Sequence, residues 1–205
     1  MTAKIPYPLI LSGETVDLVS LDKSHFAELG KAAINDSIWE FTLNDCSTPD
    51  KFNKVYEDAL IGREQGSEYA FVVLHKPDNK LIGSTRFLDI DLHHKKLEIG
   101  WTWYHPDYWA TEVNLECKLL LLTYCFETLN TNRVQIITDQ NNLRSRKAIE
   151  KIGGKFEGIL RNDFIRDNGT KRSSAYYSII DEEWDEVKKN LTLLYRRKIN
   201  KSNDL

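Results

Sequence analysis

Between Lys95 and Thr138 the chain reads as a strand, a long helix and a second strand, and this unit constrains the fold most. Leu97, Ile99, Trp101 and Trp103 alternate with Glu98, Gly100, Thr102 and Tyr104, the period of two expected of a strand. Leu115, Leu119, Leu122, Phe126 and Leu129 then recur at steps of three and four, which sets them on one face of a helix over Val113–Leu129. Arg133–Thr138 is a short second strand. Strands joined through a helix usually become parallel neighbours with a right-handed crossover. Ligands of such sheets settle at the C-terminal end of a strand, where the next helix opens with unpaired backbone N–H groups. Residues 104–116 are therefore the first candidate site.

Upstream, Glu14–Ser20 reads as a strand, Asp22 as the cap of a helix over His25–Ile34, and Asp50–Glu64 as a second helix. Tyr69–Leu74, Lys80–Leu92 and Lys95–Tyr104 form an antiparallel meander, with turn chemistry at Lys76-Pro77-Asp78-Asn79. Downstream, Asn142–Ile152 is a helix closed by Gly153-Gly154. Asn168-Gly169 turns Phe156–Arg166 back onto Ser173–Ile180, and Asp181–Tyr195 is a last helix followed by a basic tail. The order predicts an α/β (α+β) chain with a mixed central sheet of about seven strands.

With 205 residues, 41% of them apolar, the chain can bury a core without a disulfide or metal staple. A net charge of −3 excludes a dominant basic field for nucleic acid. No apolar run approaches the ~18 residues of a membrane span. Met1–Gly13, broken by Pro6 and Pro8, does not suit a signal peptide. Cys46, Cys117 and Cys125 are an odd set without CxxC spacing, so a reduced, cytoplasmic protein is expected. His93-His94 has no companion ligands at metal spacing, so no metal is expected.

A series of motifs falls on these elements in order: Leu97-Glu98-Ile99-Gly100-Trp101-Thr102-Trp103, His105-Pro106-Asp107-Tyr108-Trp109, and Asn114-x-Glu116-x-Lys118. Thr138-Asp139-x-x-Asn142-x-x-Ser145, Lys151-Ile152-Gly153-Gly154, Asp167-x-Gly169-Thr170-x-Arg172 and Tyr177-Ser178-Ile179-Ile180 follow. The series resembles the GNAT N-acetyltransferase superfamily, in particular its RimJ/RimL-like branch, over about residues 14–188. The resemblance implies a GNAT-like fold in one domain over residues 1–205, whose parallel central pair is splayed between helices on both faces. It implies acetyl-CoA as co-substrate and acetyl transfer to a primary amine, on a protein N-terminus or a small molecule. It extends to a homodimer, since dimers are common among such proteins.

By the same resemblance, the backbone at Trp101, Thr102 and Trp103 bonds the pantetheine amides. The loop Trp109, Ala110, Thr111, Glu112, Val113 and Asn114 holds the diphosphate; Asn142 bonds the pantetheine arm and Ser145 lies near the thiol. The chemistry is consistent with these roles. A thioester carbonyl gathers charge during attack and needs N–H donors. The attacking amine must be neutral, so a carboxylate or water chain must take its proton, and Glu98 is the candidate base. A thiolate of pKa ~8.5 needs only modest help in leaving. Ser145 would give that help, or is a helix-face hydroxyl bonded to its own backbone. Asp89, Asp91, Glu98, Asp163 and Asp167 supply a negative field for an ammonium group.

The loop departs from the family pattern: Ala110 and Glu112 stand where relatives carry glycines. Glycine lets backbone N–H groups approach phosphates without a Cβ in the way. A carboxylate at ~6 Å from a phosphate costs roughly 1–3 kcal/mol. Glu112 can turn to solvent, be offset by Lys118, Arg144, Arg146 or Lys147, or mark a weakened acyl-CoA-binding or partner-binding protein, the alternative to an enzyme. Ile149 stands where many GNAT enzymes have a tyrosine, and Ser173 where relatives often carry Asp. From Trp184 on there are six basic and three acidic residues, read as a solvated helix or a docking surface.

Overall fold

The computed structural model describes residues 5–203, which form an eight-stranded sheet with helices on both faces. The strands are β1 (Ile10–Ser12), β2 (Val16–Ser20), β3 (Tyr69–His75), β4 (Lys80–Asp91), β5 (Lys96–Tyr104), β6 (Arg133–Asp139), β7 (Lys155–Ile165) and β8 (Lys171–Ile180). Their order across the sheet is β1-β2-β3-β4-β5-β6-β8-β7. Every pair is antiparallel except β5 with β6. The extra strand relative to the sequence reading is β1, three residues in a proline-bounded segment too short to show a period. The strand carrying Glu98 is thus the fifth.

The helices are α1 (Phe26–Ala32), α2 (Asp36–Trp39), α3 (Pro49–Gln65), α4 (Val113–Thr123), α5 (Leu143–Lys151) and α6 (Trp184–Asn203). On one face α1–α3 bury Leu29, Phe52, Tyr56 and Ala59 against Ala70, Val72 and Trp103. On the other, α4–α6 close over Leu97, Ile99, Val134, Ile136, Tyr177 and Ile179. The long helix is shorter than its apolar period: it gives way to a π-helical turn at Tyr124–Thr128. The last helix is longer, with the basic residues beyond Tyr195 continuing it to Asn203 and Leu191 and Tyr195 packed in the core. All three cysteines are free and buried.

Candidate active site

The site begins with a mismatch in β5. Ser84 of β4 lies opposite Trp103 and Arg86 opposite Gly100, so β5 carries one residue more than β4 over this stretch, and Trp101 takes φ = 50°. Such a bulge bends a strand and changes which face its side chains meet. Leu97 and Ile99 pack on the α4 side, whereas Trp103, and Trp101 in part, pack on the α3 side. The strict alternation read from the sequence therefore breaks at Trp101. Trp103 donates from Nε1 to Tyr56 Oη at 2.8 Å, and Trp101 stacks on the Arg86 guanidinium at 4.5 Å.

Just before the bulge, β5 leaves β6. The two strands pair only at Lys96–Arg133, Leu97–Val134 and Glu98–Gln135. Beyond Glu98 the β5 edge facing β6 has no strand partner, and a cavity of about 470 Å³ opens between them. Its walls include Glu98, Gly100–Tyr104, Trp109, Ala110, Asn114, Lys118, Thr138, Asn142, Arg144 and Ser145.

Glu98 is 8% exposed, at the point of divergence. Burial, helped by the charge of Asp89, pushes its carboxyl up to about 7. Lys118 reaches in from α4 and donates to Thr102 Oγ1 at 3.0 Å; burial brings its ammonium down to about 8. Gly100 leaves room for the carboxylate, since a Cβ there would lie 2.5 Å from Glu98 Oε1. A buried carboxylate that titrates near neutrality, beside an unpaired strand edge, can take a proton from an amine presented in the cavity.

The family model for the "Acetyltransferase (GNAT) domain" matches residues 16–155. The chain belongs to the GNAT acetyltransferase family. A relative in Bacillus subtilis (strain 168), named "Putative ribosomal N-acetyltransferase YdaF", is 32% identical over 147 residues, 72% of this chain and 74% of its own. The crystal structure of a GCN5-related N-acetyltransferase from Brucella melitensis matches with a TM-score of 0.85 at 25% identity, covering 93% of this chain and 86% of that one. Mycobacterium smegmatis RimJ, solved in complex with CoA-disulfide, shares the fold with a TM-score of 0.75 at 18% identity, over 90% of this chain and 91% of that one.

The loop that departs from the GNAT pattern keeps a glycine-like backbone. Ala110 adopts φ = 59°, the left-handed region, although it carries a Cβ. Trp109 anchors the loop by donating from Nε1 to the Tyr104 carbonyl at 2.9 Å, under the Arg144 guanidinium at 3.7 Å. Thr111 Oγ1 accepts from the Val113 amide at 3.3 Å, and Tyr104 donates to Asn114 Oδ1 at 3.2 Å. Ala110 and Asn114 line the cavity; Thr111, Glu112 and Val113 do not. Of the four basic residues expected to offset Glu112, Arg144 lies against the loop. Lys118 serves the Glu98 end, and Arg146 is bonded to Tyr177 Oη and the Gln140 carbonyl.

Asn142 caps α5 through Oδ1, which accepts from the Ser145 amide at 3.0 Å. Ser145 lines the cavity, and of its two readings the back-bond from its hydroxyl to its own helix is not made. Ile149 is buried and offers no hydroxyl. Of the five acidic residues read as an ammonium field, Glu98 and Asp89 line the cavity. Asp91 instead pairs with His94, Asp163 accepts from Tyr176, and Asp167 ties the β7–β8 hairpin to Asn44. Sequence reasoning did not name Asp139 and Arg172 as wall residues, and it offered Lys118 only as an offset to Glu112, whereas Lys118 donates to Thr102. Their signal was present in the motifs Thr138-Asp139 and Gly169-Thr170-x-Arg172, but the pattern does not say which face each occupies.

Proposed function

We propose that this chain moves the acetyl group of acetyl-CoA to a primary amine by direct attack in a ternary complex, with Glu98 as proton acceptor. The observation that carries the reading is the divergence of β5 from β6 with a buried, near-neutral carboxyl at its root. The residues suit the coenzyme. The unpaired β5 backbone at Trp101–Trp103 offers amide partners for a pantetheine arm, and the opening amides of α4 offer donors to a diphosphate. Arg144 adds positive charge beside that loop, Asn142 has its amide N–H groups to spare, and Ser145 has an uncommitted hydroxyl. Bound acetyl-CoA supplies the acetyl group and a thiolate that leaves readily.

Glu98 is charged in an increasing fraction of molecules as pH rises through about 7, and in that form it accepts the proton of the incoming ammonium. The Lys118 charge nearby, present below about 8, favours the carboxylate. A protein N-terminus is the acceptor we favour over a small amine, because the Bacillus relative is named for a ribosomal substrate. Thiol release from acetyl-CoA, screened over N-terminal peptides and small amines, tests the reading. Acetylation of a primary amine is expected, with turnover lost in Glu98→Gln at unchanged coenzyme affinity. No detectable binding at millimolar acetyl-CoA would refute it.

A further inference from the structure

Helix α4 lies along β5 with its turns in step with alternate strand residues. Near its start Tyr104 Oη donates to Asn114 Oδ1 at 3.2 Å, and one turn further in Lys118 Nζ donates to Thr102 Oγ1 at 3.0 Å. Thr102 in turn shares a hydroxyl hydrogen bond of 2.7 Å with Thr85 of β4. Lys118 thus stands between the loop before α4 and Glu98, beside the stretch of β5 that has no partner in β6. It is 5% exposed, and it is the one lysine among the described residues that lines the cavity. Thr102 is its one hydrogen-bond partner among the described residues, and none of their carboxylates forms an ion pair with it.

An ammonium so placed has two N–H groups left over and little to hold its third proton. Burial brings it down to about 8, while Glu98 on β5, Cys117 on the same helix and Cys125 on the π-helical turn pull the other way. A lysine amine freed of its proton is a nucleophile toward acyl groups. In the arrangement proposed above, the coenzyme's arm runs from the loop before α4 along unpaired β5 toward Glu98, and so past Lys118. We propose that Lys118 is a self-acetylation site, which takes the acetyl group of acetyl-CoA when no external amine is present. The Nζ lone pair attacks the thioester carbonyl carbon. A C–N bond forms, the C–S bond breaks, and the thiolate leaves with the bonding electron pair and collects the proton that nitrogen sheds. The products are acetyl-lysine and free CoA. The acetamide lacks the charge that favours the Glu98 carboxylate and adds bulk to the cavity, so the modification slows transfer to an external acceptor. This inference rests on the acetyl-transfer reading.

The test incubates the full chain with acetyl-CoA alone and maps the digest by mass. Lys118 should gain one acetyl group at least about 10-fold faster than any exposed lysine, because more of its amine is neutral and the thioester is held beside it. An efficient acceptor should slow the gain, and turnover of that acceptor should fall as the modified fraction grows. Acetyl groups spread evenly over surface lysines, none on Lys118, or undiminished turnover by the fully modified protein would overturn the assignment. Trace labelling with acetic anhydride reads the same amine without a variant and without the acetylated coenzyme. Lys118 reactivity should rise through about 8, below the range of exposed lysines, and CoA lacking an acyl group should protect it. Labelling that CoA leaves unchanged would place Nζ away from the coenzyme and sink the proposal. Turnover of an external amine with Lys118 unmodified defeats self-acetylation alone. Acetylated Lys118 without turnover of any external amine defeats transfer to an acceptor and keeps the site.

Discussion

Glu116 and Glu98 are both buried carboxylates, 3% and 8% exposed, one under the β1–β2 turn and the other where β5 and β6 part. Glu116 accepts from the backbone amides of Glu14, Thr15 and Val16, at 2.5, 2.9 and 2.8 Å, and from Tyr195 Oη at 2.6 Å. It thereby ties α4, the first hairpin and α6 into one piece. Glu98 has the Gln135 side chain beside it, which favours its charged form, and otherwise faces the cavity. The same side chain at similar depth is a rivet where four donors saturate it and an open acceptor where they do not. Burial alone does not separate the roles; the count of donors does.

Substitution at Glu98 tests the reactive half of this contrast and should have the largest effect. Glu98→Gln is expected to lower kcat by about 10²–10⁴-fold, the usual worth of a general base. Wild-type kcat/KM should rise with pH through about 7, and the variant's profile should lose that limb. Stability moves in the opposite sense. The folded Glu98 carboxyl sits at about 7 against an ordinary 4.5, so between those values the folded state holds more protons than the unfolded one. Stability contributed by this group is full below 4.5 and fades as pH rises to about 7. Denaturant melts across that window should show a shallower slope for Glu98→Gln. An unchanged slope would mean that Glu98 does not titrate there.

The structural half predicts the reverse pattern. Glu116→Gln turns an amide group toward donors that need acceptors, at a cost of about 3 kcal/mol. The melting temperature should fall by about 6–12 °C for a chain of this size. Turnover per folded molecule, assayed well below the transition, should stay near wild type. A variant that melts normally but turns over slowly would erase the distinction between the two sites.

The contrast also marks what the sequence could reveal. The strand–helix–strand unit, the Asn168-Gly169 hairpin and the candidacy of Glu98 were legible because period and turn chemistry are local. The bulge at Trp101 was not. It exists only as a register between β4 and β5, and it moves Trp103 to the opposite face from a plain alternation. Glu116 read only as a family position, since its four donors come from segments at least 79 residues away. Arg172 read only as part of a motif, since the pattern does not say which wall it lines.

Gly100 offers a gentler probe of Glu98. An added Cβ would meet Glu98 Oε1 at 2.5 Å and Leu88 Cδ1 at 2.8 Å, both ends of side chains that can move. Gly100→Ala should therefore displace the carboxylate rather than unfold the strand. Turnover is expected to fall about tenfold, as misplacement of a reacting group does, with the melting temperature little changed. Equal turnover would show that the position of Glu98 is not critical.

The smallest effect belongs to the loop before α4. Ala110 holds φ = 59°, where an L-residue costs ~1–2 kcal/mol. Glycine relieves that strain but gives back ~0.5–1 kcal/mol through the freedom of its unfolded chain. Ala110→Gly should thus gain at most about 1.5 kcal/mol, seen as a rise of at most a few degrees in melting temperature. Because the backbone already has the glycine conformation, CoA affinity by calorimetry should stay within about threefold of wild type, under 1 kcal/mol. Glu112→Gln should do little more, since Glu112 is not among the residues lining the cavity. A tenfold tightening in either variant would mean that the Cβ or the carboxylate does obstruct the diphosphate. The loop's departure from the GNAT pattern would then be a brake on the coenzyme rather than a neutral replacement.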